Sequence, residues 1–279
     1  MKETVALEKV EDIEVRLLLE ALYSRYHYDF RNYAMASVKR RLRQAREQLG
    51  FDTLSALQES LLRDSGMLPR LLGYLTVQVS EMFRDPSYFR AIRENVVPHL
   101  RTYPSLKVWI AGCSSGEELY SFVIRFREEG LEQKTIFYAT DINLQALGQA
   151  EAGIFGLDRI RSFTENHRKS GGKSSLSDYY SAAYGRASFD KTLRRNVLFS
   201  DHSLVTDAVF GEMHLISCRN VMIYFDRTLQ DRALGLFKDS LARKGFLGLG
   251  AKESLRFSTH AGAFGDFVRE EKIYQRQAA

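Results

Sequence analysis

Gly112 and Gly116, with Glu117 and Glu118 directly after them in the run AGCSSGEELYS, combine a tight turn with two acids. Glycines let the backbone reverse and approach a ligand closely. The spacing is G-x-x-x-G, not the G-x-G-x-x-G of dinucleotide sites. Acids in the first turn of a helix would also repel a pyrophosphate from the positive end of the helix dipole. A phosphate-free cofactor with a cationic sulfonium and an ammonium suits the turn better, although a plain strand-to-helix turn with dipole-complementing acids has the same composition. Asp141 follows in FYATDIN. At a strand tip it would accept hydrogen bonds from both hydroxyls of a ribose, or it would cap the helix starting near Asn143. Further on, LISCRNVMIYF places Cys218, Arg219, Asn220 and Tyr224 after an apolar run, where open α/β sheets hold their ligands. The alternative there is a satisfied turn with Tyr224 as a core aromatic. Gln78, Ser80 and Arg84 lie in TVQVSEMFRDP, which by itself reads as a linker with a helix cap.

The elements that must position these residues are legible as period and texture. Ile13, Leu17, Leu18, Ala21 and Leu22 recur at helical spacing, as do Val38, Leu42, Ala45 and Leu49, with Gly50 where a helix C-terminus wants glycine. Leu54, Leu57, Leu61 and Leu62, then Leu68, Leu71, Leu72 and Leu75, complete a predicted small helical bundle over residues 1–75. Residues 76–105 read as a linker and junction helix. From 106 onward, strands predicted at 107–111, 135–140, 212–217 and 246–249 alternate with helices at 117–128, 143–151 and 227–243. That alternation predicts a parallel sheet covered by helices, and 264–275 predicts an antiparallel pair closing its edge. Residues 165–177 are polar and rich in Gly and Ser, which predicts an exposed loop. A small insertion is expected at about 178–197, and no internal repeat is visible.

Composition narrows the class. The 279 residues are 44% hydrophobic and 27% charged, ordinary for a globular chain that needs no disulfide or metal staple. Cys113 and Cys218 show no metal-ligand spacing, which fits a reducing compartment. The six histidines are scattered. With no leader-like N-terminus and no apolar run of about 18 residues, a soluble, cytoplasmic protein without membrane insertion is expected. The net charge of +5 favours acidic partners. Much of the charge falls on one predicted helix, where Lys39, Arg40, Arg41, Arg43 and Arg46 crowd together. Lys39, Arg43 and Arg46 form a stripe at i, i+4, i+7 spacing, read either as a solvated face or as a docking surface. No nucleic-acid reader motif accompanies it.

In this order and at these separations, TVQVSEMFRDP, AGCSSGEELYS, ATDIN and above all SCRNVMIYFD resemble the chemotaxis receptor methyltransferase family over nearly the whole chain. The resemblance implies an α/β fold: a seven-stranded, Rossmann-like methyltransferase domain at 106–279, a small N-terminal all-helical receptor-docking domain and a small β-insertion. It implies S-adenosylmethionine as cofactor, S-adenosylhomocysteine as product, and no metal. The activity implied is that of a protein-glutamate O-methyltransferase acting on the cytoplasmic domain of a methyl-accepting chemoreceptor. Matching positions assign cofactor binding to Gln78, Ser80, Arg84, Gly112, Glu118, Asp141, Ser203, Leu204, Cys218 and Arg219. Arg84 and Tyr224 match positions that orient the reacting groups, and Lys39, Arg40, Arg43 and Arg46 become the substrate-docking cations.

Some positions depart from the family pattern. Gln78 and Ser80 stand where Asn and Thr are usual, Leu119 replaces a proline, Ser203 an Asn, and Lys252 the histidine of a G-H-S-E string. Residues 181–195, where some members bind a receptor's C-terminal tether peptide, are short and lack a glycine-rich loop, which points to a tether-independent enzyme. Nothing suggests an obligate dimer, so a monomer is expected. The competing readings are a non-catalytic S-adenosylmethionine-binding signalling module and a methyltransferase with a non-receptor substrate.

Overall fold

The computed structural model describes residues 9–277, which divide into two compact units. The first holds four helices, α1 (Val10–Tyr26), α2 (Met35–Leu49), α3 (Leu54–Arg63) and α4 (Met67–Leu75). Thr53 caps α3 by accepting from the Ala56 amide at 3.0 Å, and Gly50 ends α2 at φ 80°, as its position predicted. On α1 the buried stripe is Val15, Leu18, Leu19 and Leu22, whereas Leu17 is exposed. The apolar face is therefore rotated from the one expected, because leucines occupy both sides of the helix and only packing selects between them. This unit also takes in the later segment Tyr224–Leu229, through an antiparallel bridge between Tyr33 and Phe225.

The second unit starts at Gln78, not at residue 106. The expected linker is part of its core: α5 (Pro86–Ala91), a π-helical turn (Ile92–Val96) and α6 (Val97–Leu100) bury Tyr88, Phe89, Ile92, Val96, Val97 and Leu100. After β1 (Leu106–Ala111), α7 (Glu117–Glu128), β2 (Thr135–Asp141) and α8 (Leu144–Ala152) come β3 (Ile154–Gly156), α9 (Leu157–Lys169), β4 (Tyr180–Ala183) and β5 (Arg186–Phe189). The chain continues through β6 (Val197–Asp201), β7 (Met213–Cys218), α10 (Arg227–Ser240), β8 (Leu241–Leu249), β9 (Phe264–Val268) and β10 (Ile273–Arg276). The main sheet has seven strands in the order β6-β2-β1-β7-β8-β10-β9, parallel from β6 to β8, with an antiparallel β10–β9 pair at one edge. In β1 the consecutive residues Val108, Trp109, Ile110 and Ala111 are all buried, so both faces of the sheet are covered.

Two expectations need correction. Residues 165–169 end α9 and are not a loop. His167 is buried at 2.9 Å from Glu128, and Ser170 is buried against Arg125, so these polar side chains are spent inside the fold. The insertion is a three-stranded antiparallel sheet, β3-β5-β4, that recruits β3 from before α9, and Val197 already belongs to the main-sheet strand β6.

Candidate active site

The parallel strands bring the turns after β1, β2, β6 and β7 to one edge of the sheet. After β1 the backbone passes through three left-handed residues, Gly112 (φ 74°), Ser114 (φ 51°) and Gly116 (φ 96°). The amides of Gly112 and Cys113 donate to the Thr140 carbonyl at 2.8 and 2.9 Å, which ties this turn to the end of β2. A Cβ on Gly112 would lie 2.5 Å from Val221 Cγ2, and one on Gly116 would lie 2.9 Å from Ala150 Cβ. Internal packing therefore demands both glycines, in addition to any ligand.

Asp141 closes β2. Its carboxylate accepts from the Ser114 amide at 2.8 Å and the Asn143 amide at 2.9 Å. Asn143 is the N-cap of α8, accepting from Gln145 and Ala146, so that role does not fall to Asp141. Burial pushes the Asp141 carboxyl above its ordinary range, against the pull of the Asn143, Ser114 and Ile142 amides. A carboxylate offers about four lone-pair positions, so acceptor capacity remains for a diol. Gln78 joins the same turn, its Oε1 accepting from Ser114 Oγ at 2.9 Å.

The two glutamates after the glycine turn have separate partners. Glu117 is fully buried, paired with Arg159 at 2.7 Å and hydrogen-bonded by Ser115. Glu118 accepts from Ser217 Oγ at 2.6 Å and from Arg219 at 3.3 Å. Arg219 is buried, with its guanidinium 4.0 Å from the centre of the Tyr88 ring. Its Nη2 donates to Asp85 at 2.7 Å and to the Arg84 carbonyl at 3.1 Å. Arg84 itself lies between two left-handed residues, Phe83 (φ 50°) and Asp85 (φ 56°). Holding non-glycine residues there costs about 1–3 kcal/mol each, offset here by bonds such as Phe83 amide to Ser121 Oγ at 2.7 Å. Among the described residues the half-buried Arg84 side chain has no carboxylate partner.

The remaining assigned positions contribute differently. The Ser80 carbonyl accepts from Arg159. Ser203 Oγ accepts from the Val205 and Thr206 amides at 3.2 Å, which spends its lone pairs in a local turn, and Leu204 is buried. The Cys218 thiol is fully buried and pushed well above its ordinary pKa by that burial, so a contact from this residue would come through its backbone. Tyr224 clusters with the helical unit, where the Arg41 guanidinium lies 4.4 Å from its ring centre. Of the docking cations, Lys39 pairs with Asp12 at 2.6 Å, Arg43 with Glu11, and Arg46 with Glu47 at 3.2 Å, while Arg40 is exposed. Arg41 points inward and is buried, apart from the stripe.

Sequence reasoning passed over Ser217, Tyr88, Asp85 and Glu253. Ser217 is hidden inside an apolar run. Glu253 is buried and accepts from the amides of Gly250, Asn220, Val221 and Met222; the one visible signal was its place in GAKES. No cluster of ligating side chains suited to a metal occurs among the described residues, nor any helix long and apolar enough to cross a membrane.

The donor set fits S-adenosylmethionine. Asp141 suits the ribose hydroxyls, the carboxylate-bearing edge suits the cationic groups, and the acid-led α7 offers no pyrophosphate site. This sheet and this edge are those of an S-adenosylmethionine-dependent methyltransferase. Within that class the chain belongs to the CheR methyltransferase family: residues 78–267 match its "SAM binding domain" and residues 13–76 its "all-alpha domain". Cher3 of Pseudomonas putida is 56% identical over 269 residues, spanning 96% of this chain and 98% of that one. Chemotaxis protein methyltransferase 2 of Vibrio cholerae is 32% identical, over 67% of this chain and 66% of its own length. The chemotaxis protein methyltransferase of Listeria innocua is 28% identical, over 81% and 84%.

Proposed function

We propose that this enzyme esterifies glutamyl side chains on the cytoplasmic helical domain of a methyl-accepting chemoreceptor, working as a cytoplasmic monomer. One observation carries the reading: an acid-lined, phosphate-averse cofactor edge occurs in a chain whose α2 presents cations suited to an acidic helix. When bound, S-adenosylmethionine supplies a methyl group activated by its positive sulfur. Asp141 holds the ribose, and Glu118, buttressed by Ser217 and Arg219, faces the cationic portion. Arg84 steers a carboxylate towards the reacting centre, and the Tyr224 hydroxyl orients it.

No general base is required. A glutamyl carboxyl with a reference pKa of about 4.3 is already ionised at neutral pH. Both thiols are buried and protonated by preference, which removes them as competing nucleophiles. Attraction between an anionic nucleophile and a cationic methyl donor is cancelled as they react, so water exclusion and alignment supply the acceleration, alignment alone contributing about 7–11 kcal/mol in favourable cases.

Tritiated methyl transfer to receptor-containing membranes tests the reading, with base-labile esters as the expected product. Arg84→Ala and Tyr224→Phe should each lower turnover about a hundredfold while S-adenosylhomocysteine still binds to Tyr224→Phe. Label in a small molecule or nucleic acid would reassign the substrate. Tight cofactor binding with no transfer at all would mark a signalling module. The β4–β5 hairpin, joined by Tyr184 and Gly185 alone, supports independence from a tether peptide. Calorimetric affinity for such a peptide in the micromolar range or tighter would overturn that part.

A further inference from the structure

The loop that leaves β7 is organised by a residue outside it. Three successive amides, Asn220, Val221 and Met222, donate to the Glu253 carboxylate at 3.0, 3.0 and 2.8 Å. A fourth donor, the Gly250 amide after β8, reaches it at 2.6 Å. Consecutive amides converge on one point only when the chain curls, and Asn220 supplies the curl at φ 61°. Such a nest of amides ordinarily recruits an anion from solution. Here the protein fills it with its own carboxylate, 5% exposed.

The curl has consequences at both ends. Val221, locked by its amide, packs onto Gly112 so closely that any side chain there would collide with it. Arg219, one residue earlier, holds Glu118, Asp85 and the Arg84 carbonyl. The glycine turn, the cofactor-facing glutamate and the Arg84 segment therefore all depend on where this loop sits.

We infer that Glu253 is a positioning residue for the cofactor site, fixing the β7 exit loop from behind without touching the cofactor. The inference rests on the methyltransferase reading above. Two substitutions perturb it by different routes. Glu253→Gln removes the charge and sets an amide N–H₂ against the backbone donors. Gly250→Ala keeps the charge but drives a methyl to within 2.8 Å of Glu253 Oε2 and 2.9 Å of the Asn220 amide. Glu253→Asp keeps the charge on a shorter arm.

Calorimetry should show S-adenosylhomocysteine binding weakened about tenfold or more in Glu253→Gln and Gly250→Ala, with partial recovery in Glu253→Asp. The KM for S-adenosylmethionine should rise by a larger factor than kcat falls, and hydrogen exchange should quicken at the Val221 and Met222 amides. A residue that merely stabilises the fold would lower the active fraction, and hence kcat, at unchanged KM. Product affinity within twofold of wild type in the variants that fold, with a lowered melting temperature, would overturn the assignment. Failure of the wild-type chain to bind S-adenosylhomocysteine would instead overturn the cofactor reading itself.

Discussion

Asp141 accepts two backbone amides, yet burial still drives its carboxyl above the ordinary range. On the proposed reading the ionised form would accept from both ribose hydroxyls, whereas protonation turns one oxygen into a donor. S-adenosylhomocysteine affinity should therefore decline as pH falls through this raised pKa, at a higher pH than for an exposed aspartate. The stability linkage has the opposite sign: a folded-state pKa above the unfolded value makes this group's contribution more favourable as pH falls. Asp141→Asn should bind the product more weakly, by about 1.5–3 kcal/mol for each charged hydrogen bond lost, and should flatten the pH dependence. Titration calorimetry from neutral to mildly acidic pH measures both, and an unchanged slope in the variant would remove Asp141 from the site. The sequence showed an acid at the strand tip but could not distinguish ribose ligand from helix cap, because Asn143, two residues on, has equally good capping chemistry. Ser217 and Glu253 were harder still, since each acts through partners that are remote in sequence.

Element by element, legibility followed the strength of the period. The predicted 117–128 helix matches Glu117–Glu128, and α2 lies over its predicted stripe, because strong apolar repeats leave few alternatives. β6 was missed because it is short, none of its residues is fully buried and its apolar residues Val197, Leu198 and Phe199 run consecutively instead of alternating, and β3 is only three residues long. On α2 the period also hid a division of labour. Five basic residues looked like one cluster, but Arg41 is buried while Lys39 and Arg43 are held by Asp12 and Glu11 in the first turn of α1. If an acidic receptor helix docks on this face, it must displace or share those partners. Glu11→Gln and Asp12→Asn should then lower the KM for receptor by about two- to fivefold, the scale on which exposed ion pairs act. Arg40→Ala should raise it by a comparable factor, with KM for the cofactor unchanged in all three. Both effects should shrink as salt shortens the screening length. Insensitivity of receptor KM to all three substitutions would move the docking surface off α2.

The helical unit is not continuous in the chain. Its four helices lie before Val77, but Tyr224–Leu229 completes it from far downstream. The Ala34 amide donates to the Tyr224 carbonyl at 2.8 Å and the Asp226 amide to the Asn32 carbonyl at 2.9 Å, while the Phe225 ring sits edge-on to Tyr33 at 4.9 Å. No local pattern announces such a pairing, which is why IYF read as part of a family motif, with Tyr224 as a core aromatic or an orienting residue, and not as a piece of the helical unit. A contact across so long a loop carries a closure entropy that the rest of the fold must offset. The buried Arg41, which lies against the Tyr224 ring and donates to the Leu75 carbonyl, loses that ring if the segment is absent. A fragment ending at residue 77 should thus be less helical and melt less cooperatively than the same residues do in the intact chain. In the intact chain, Phe225→Ala removes a nearly buried ring, and such truncations typically cost about 3–5 kcal/mol. The loss should surface first as faster hydrogen exchange at α2 amides, with the β1 and β7 amides of the sheet holding their protection. Equal acceleration in α2 and the central strands would mean that the segment stabilises the chain as a whole, and a cooperative melt of the isolated fragment at the intact chain's temperature would show it to be dispensable.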